Sequence, residues 1–319
     1  MAGQLSLKIL FLGTSRFAVP SLETLAGAHE IVGVVTQPDR AHTRKGKTIP
    51  SPVKESAQKL DLPVFQPETV NRREWIEKLG ALGAELSVVV AFGQKFRPRF
   101  LRMTPRGAIN LHGSLLPAYR GAAPIARAIA DGLDATGLTV FQVTPQWDTG
   151  GVFANVKVQI GPDETEGELS ERMAVIGAKL LLETVNAIAE DRAQPVEQNP
   201  SRATFAPKIE KNEGDLDWDR PAQQVYNQFR AMTPHPGAFT LWHAEGKTVR
   251  LKILASCLIL GENFDNAGEV SQIVSNGIIV ACRQGALLIT RLQAPGGKPL
   301  SAKDFLNGHP IRPGHRMSK

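Results

Sequence analysis

Short apolar runs, separated by turns that carry glycine and proline, organise the first half of the chain. Residues 7–12 read as a buried strand, 20–25 as a helix and 31–35 as a second buried strand. Unbroken apolar runs of strand length belong to sheets covered on both faces. Strand, helix and strand in that order predict a βαβ unit that opens a parallel sheet. A helix over 53–59, a short strand over 63–65 and a helix over 75–82 follow. Residues 86–91 form the most strand-like run, expected at the centre of the sheet. A strand opens at Ala108, a helix starts with Pro124 in its first turn, and 138–143 and 152–160 read as two more strands. Between 168 and 188, Leu169, Met173, Ile176, Leu180 and Val185 recur at helical spacing.

The pattern changes after residue 192. Residues 193–207 are polar and carry Pro195, Pro200 and Pro207, the composition of a linker. A helix over 222–232 then precedes short alternating strands over 239–242, 249–254, 268–274, 277–282 and 286–292. That spacing predicts a small β-barrel of the OB-like kind. The expected organisation is therefore an α/β domain over 1–192 with a mostly parallel sheet, a linker over 193–209 and a barrel domain over 210–319. A length of 319 residues agrees with two domains.

Composition adds limits. No apolar run is long enough to span a membrane, and the start of the chain lacks a signal-peptide pattern. Cys257 and Cys282 both lie in apolar strand-like segments and match no metal or redox spacing, so both read as buried thiols of a cytoplasmic protein. After Gly13 come Thr14, Ser15 and Arg16 with no second glycine, which disfavours a dinucleotide. The net charge of +6 fits a polyanionic partner without requiring one. Its distribution is more telling. Arg40, Arg44, Lys45 and Lys47 crowd into residues 36–52 against the single acid Asp39, in a loop leaving the carboxyl end of a strand. It reads either as a solvated loop or as a basic finger for phosphates. In the second half, Lys247, Arg250, Lys252, Arg283, Arg291, Lys298 and Lys303 recur near strand ends.

The chemistry concentrates where Ala108, Ile109 and Leu111 alternate with Asn110 and His112. A period of two puts the amide and the imidazole on one side of the strand, at the end where ligands bind in parallel sheets. The pair either caps a strand or serves a carbonyl whose oxygen gains charge. Asp148, in the turn 147–151, reads as a turn former or as a partner that keeps His112 protonated and oriented, the two strand ends being neighbours. Ser114 lacks a nucleophile-elbow motif, the cysteines are remote, and His112 has no second ligand at a zinc spacing. Direct acyl transfer between two substrates is what remains.

The sequence Asn110-x-His112, followed by Ser114-Leu115-Leu116-Pro117, Arg120-Gly121 and Asp148-Thr149-Gly150, resembles the formyltransferase family that uses 10-formyltetrahydrofolate. Phe11 to Thr14, Phe17 to Leu22, Val34 to Arg40, Pro50 to Lys54, Ala206 to Ile209 and Pro234 to Ala238 are similar to its tRNA-directed members. Ser15 stands where the family usually carries proline, and residues 40–46 depart from its usual loop while keeping the charge. The resemblance implies a Rossmann-like formyltransferase domain without a dinucleotide, and formyl transfer from 10-formyltetrahydrofolate to the α-amine of initiator methionyl-tRNA. It implies catalytic roles for Asn110, His112 and Asp148. It places the folate against Phe92, Gly93 and Gln94, the turn Ser114, Leu115, Leu116 and Pro117, and Gln146 and Trp147. It assigns the tRNA acceptor arm to the loop of Arg40, Arg44, Lys45 and Lys47, and a second tRNA surface to the barrel. No metal, no membrane and a monomeric chain are expected. Two rivals are a formyltransferase for a small amine, which leaves the cationic loop and basic barrel unexplained, and a non-catalytic RNA binder, which leaves Asn110, His112 and Asp148 without a task.

Overall fold

The computed structural model describes residues 5–41, 48–244, 246–261, 264 and 266–319. Two compact units emerge: residues up to 124 with 135–159 and 170–207, and residues 125–134 with 160–169 and 208–319.

The first unit is built on β1 (Lys8–Gly13), α1 (Val19–Ala26), β2 (Glu30–Val35), α2 (Pro52–Lys59), β3 (Val64–Phe65), α3 (Arg73–Gly80), β4 (Leu86–Val90) and β5 (Ala108–His112). After α4 (Pro124–Ala130), which from residue 125 on is counted with the second unit, come β6 (Ala135–Gln142), β7 (Val152–Gln159) and α5 (Glu166–Ala189), which belongs to the first unit from residue 170 on. The sheet runs β7-β6-β5-β4-β1-β2-β3. Strands β3, β2, β1, β4 and β5 are parallel, while β6 and β7 are antiparallel to their neighbours. β4 is the middle strand and every one of its residues is buried, in line with its apolar run. The order turns back at β1, whose neighbours are β2 on one side and β4 on the other, and ligands bind at such a switch point beside the carboxyl ends.

Period two divides the core. Leu10, Leu12 and Val89 join Ile76, Leu79, Phe92, Phe96 and Phe100 in one cluster on one face of the sheet. On the opposite face Leu111 packs so closely on α5 that a Cβ at Gly177 would come 2.7 Å from it. Each fully buried large side chain contributes roughly 1.5–3 kcal/mol. Helix α2 begins one residue earlier than the apolar pattern, because Ser51 accepts the Lys54 N–H and Pro52 occupies the first turn.

Residues 193–207 are docked along their length within this unit. Val196 exchanges backbone hydrogen bonds of 2.7 and 2.8 Å with Val152. Phe205 and Ala206 pair in parallel with Arg120 and Gly121. Polar composition alone does not distinguish such a strap from a free linker, since these pairings are made by backbone groups.

The second unit holds α6 (Ala222–Ala231), β8 (Phe239–Ala244), β9 (Lys247–Ile259), β10 (Val270–Val274), β11 (Gly277–Ala281), β12 (Ala286–Gln293), α7 (Ala302–Gly308) and β13 (Arg316–Ser318). Its antiparallel order is β10-β11-β12-β9-β8-β13. A bridge from Arg316 to Glu269, with the Val270 N–H donating to the His315 carbonyl at 2.8 Å, brings β13 back to β10 and closes the barrel. The sequence reading misses α7 and β13, which are too short to show a period. It also misplaces Cys257, which is exposed while Cys282 is buried. Irregular pairing at Ala255 shifts the register of β9 and turns Cys257 outward.

Candidate active site

Strand pairing sets Asn110 in a row across one face of the sheet: Leu12 beside Val89, Val89 beside Asn110, Asn110 beside Phe141. The other three are apolar and buried. Asn110 is half-buried, and among the described residues its amide makes no hydrogen bond. A polar group in such a row costs stability unless something pairs with it.

His112, two residues further along the same face, is buried and stands edge-on to Phe141. Its Nε2 lies 2.9 Å from the Tyr119 carbonyl oxygen. A carbonyl only accepts, so Nε2 carries the hydrogen and Nδ1 is the nitrogen left to exchange protons. Nδ1 lies 4.0 Å from Asp148 Oδ2, beyond hydrogen-bond length. That oxygen instead accepts the Gly121 N–H at 2.8 Å. The direct hold of Asp148 on the ring expected from the sequence is a carboxylate across a gap, anchored by backbone.

The route by which Asp148 arrives also differs from the expectation. β6 is antiparallel to β5, so its end lies beside the start of β5, where the Val143 N–H donates to the Ala108 carbonyl at 2.8 Å. Residues 143–151 must fold back along the sheet to bring Asp148 to His112. Asp148 turns with φ 55°. Gly150 closes the loop against Gln142, leaving no room for a Cβ. Thr144 Oγ1 donates to the Gln146 carbonyl at 3.0 Å and lies 2.9 Å from Thr149 Oγ1.

Besides Asp148, Ala91 (φ 46°) and Tyr119 (φ 57°) are left-handed non-glycine residues. Each conformation costs on the order of 1–3 kcal/mol and persists where the surroundings enforce it, as at functional sites. Ala91 follows β4, and Tyr119 supplies the carbonyl that holds His112. No sequence signal announces them.

The turn after β5 is pinned by Thr139, whose Oγ1 donates to the Ser114 carbonyl at 2.6 Å and accepts the Leu116 N–H at 3.1 Å. Ser114 is buried and its hydroxyl donates to the Ala118 carbonyl at 2.6 Å, so it is not poised as a nucleophile. Leu115 packs down on Gly137, while Leu116 and Pro117 are half-buried. The Phe92 ring points into the core and stacks on Phe96, leaving only its backbone at the sheet edge. Gln94 spends its amide on the Val70 N–H and the Glu68 carbonyl. Gly93, at φ 82°, has open space where a Cβ would stand. Gln146 is exposed, and Trp147 beside Asp148 is 56% exposed. The sequence reading missed Thr139, the Tyr119 carbonyl and the Gly121 N–H. All three act through backbone or through a buried hydroxyl within a strand.

Arg40 and Ala41 pair with Thr48 and Ile49. Arg44, Lys45 and Lys47 lie outside the described residues. At the loop's root Lys54 donates to Asp39 and to Gln66. The Lys54 hydrogen bond, followed by that of Gln66, holds the Asp39 carboxyl below its ordinary range. In the second unit Lys247, Arg250, Lys252, Arg283, Arg291, Lys298 and Lys303 are all exposed. Among the described residues no three of His, Cys, Asp and Glu gather as a metal site, and no helix is long and apolar enough to cross a membrane.

Comparison with known proteins bears on these features. Residues 7–185 match the family described as formyl transferase, and 208–310 match its C-terminal domain. A methionyl-tRNA formyltransferase of Moorella thermoacetica is 43% identical over 309 residues, covering 97% of this chain and 98% of that protein. One of Chlamydia trachomatis is 42% identical over 308 residues, covering 95% and 97%. Among solved structures, HypX from Aquifex aeolicus in complex with tetrahydrofolic acid superposes with a TM-score of 0.62 at 17% identity, over 94% of this chain and 47% of that one. The sugar 3N-formyl transferase WlaRD, crystallised in the presence of dTDP and 5-N-formyl-THF, gives 0.62 at 16% identity, over 92% and 98%. At such identities these two report a shared fold.

Proposed function

The chain belongs to the formyl transferase family, and from that premise we propose that it moves the formyl group of 10-formyltetrahydrofolate to the α-amine of initiator methionyl-tRNA, for translation initiation. The relatives named for methionyl-tRNA formylation, at 42–43% identity over nearly full length, favour this acceptor. The single structural observation that carries the chemistry is Asn110, a lone amide in an apolar row beside His112.

The folate supplies the formyl carbon, and the amine of the charged tRNA supplies the nucleophile. The residues fit such a donor. Asn110 offers an unengaged N–H to the formyl oxygen, and Gly93 leaves open space at the sheet edge. As the amine adds, the formyl oxygen gains charge, and a preorganised donor is worth most at that moment. His112, turned by the Tyr119 carbonyl, presents Nδ1 to take the proton that the amine loses. The imidazolium N–H so formed faces that oxygen, and the proton passes to N10 of the folate as the bond from the formyl carbon to N10 breaks and tetrahydrofolate leaves. Asp148 holds the ring's orientation electrostatically from its seat on Gly121. The backbone of Phe92 and Gly93, the turn 114–117 and the exposed Gln146 and Trp147 line the folate. Gln94 contributes by fixing residues 68–70.

Arg40, Arg44, Lys45 and Lys47 meet the acceptor arm, and the exposed cations of the barrel give a second phosphate-binding surface. The domains assigned are 1–192 for transfer and 210–319 for tRNA, joined by 193–209. The chain works as a cytoplasmic monomer without a metal. The test is consumption of 10-formyltetrahydrofolate by the purified chain with charged initiator tRNA, uncharged tRNA or a small amine. Consumption only with charged tRNA supports the reading, and consumption with the small amine favours the rival.

A further inference from the structure

Gln198 comes from the polar strap and reaches the loop that carries Asp148. Its Nε2 donates to the Asp148 carbonyl at 3.0 Å and to the Gly150 carbonyl at 2.8 Å. Its Oε1 accepts from Arg120, at 3.2 Å from Nε and 2.6 Å from Nη2. Arg120 is 9% exposed, and among the described residues no carboxylate pairs with it. A buried guanidinium needs acceptors, and here a neutral amide provides one. The peptide after Arg120 is the one whose N–H holds the Asp148 carboxylate. One side chain thus ties the backbone of Asp148 to the strand that holds its carboxylate.

The strap's own anchorage gives that amide a firm base. Val196 is bonded to Val152 in both directions, and the Thr204 hydroxyl accepts the Tyr119 N–H at 2.8 Å. Tyr119 in turn holds His112. The left-handed turn at Asp148 is therefore enforced from outside its own loop.

We infer that Gln198 is a positioning residue for formyl transfer, acting through Asp148 by locking the loop 146–150 onto Arg120 and Gly121. This rests on the function proposed above. A shift of about 1 Å in a reacting group can cost a hundredfold in rate. Removing Gln198 frees the two loop carbonyls and strands Arg120, and the Asp148 carboxylate drifts from His112.

A double-mutant cycle on the full chain tests this, read as the single-turnover rate of transfer to initiator methionyl-tRNA at saturating substrates. Gln198→Leu is expected to lower the wild-type rate roughly ten- to a hundredfold. In the Asp148→Asn background it should cost less than about twofold, because residues acting through one another are not additive. Equal losses in both backgrounds, or no loss in the wild-type background, overturn the inference. Should Gln198→Leu not fold, Gln198→Glu serves the same cycle with the same outcomes. It keeps the acceptor for Arg120 and sets a carboxylate oxygen against the two loop carbonyls. An active wild type with an additive cycle sinks the inference alone, whereas an inactive wild type sinks the proposed function as well.

Discussion

His112 Nδ1 and Asp148 Oδ2 face each other at 4.0 Å, while the same oxygen accepts the Gly121 N–H at 2.8 Å. The carboxylate is therefore held by backbone, and it acts on the ring through space. Both side chains are buried, so little water lies between the carboxylate and the ring to screen one from the other.

Asp148→Asn keeps an acceptor for Gly121 and removes only the charge. Turnover should fall by on the order of a hundredfold, a loss comparable to that of one preorganised catalytic donor. The circular dichroism spectrum and melting temperature should stay close to wild type. Near-normal turnover would remove Asp148 from the mechanism.

Asn110→Ala takes away the one amide in its apolar row. The expected loss is roughly a hundred- to a thousandfold in kcat, with stability unchanged or raised, since no protein partner is left unsatisfied. Steady-state kinetics beside a denaturant titration check both halves. A destabilised but active variant would mean that Asn110 serves the fold.

Much of this site was legible in the sequence, and the reasons differ by residue. Asn110 and His112 could be placed on one face because period two is a local property of the strand. Asp148 could be named as a partner, but its path could not, because a backward fold of 143–151 depends on the antiparallel entry of β6. The resemblance sets the folate against Phe92, whose ring stacks on Phe96 in the core, so that its backbone is what remains for a ligand. Gln198 sits in a stretch whose composition says linker, and only tertiary pairing shows what it touches. The barrel strands were legible from their spacing. The closing strand β13, three residues long, carries no pattern of its own.

Stability should carry a signature of Glu166, whose carboxyl is pushed up to about 7 by burial. A folded-state value raised above the ordinary 4.5 gives stability that is fully present below about pH 4.5 and lost as pH rises through 7. The loss amounts to at most about 3 kcal/mol. Glu166→Gln should therefore match wild type at pH 5 and exceed it at pH 8 in urea midpoint. A wild-type advantage at pH 8 would show that the carboxylate has a stabilising partner.

Arg44→Ala should weaken use of charged tRNA several-fold and reduce the salt dependence of binding by about one phosphate contact. Folate binding, followed by fluorescence, should not change. Equal loss of both would overturn the assignment of the loop to tRNA.

The most direct measurement of the central claim is single-turnover appearance of formylmethionine on tRNA, with initiator and elongator methionyl-tRNA compared under the same conditions. Rapid formylation of the initiator, little of the elongator, and loss of the initiator reaction in Asn110→Ala are the expected results. Formylation of neither tRNA, or full activity in Asn110→Ala, would contradict it.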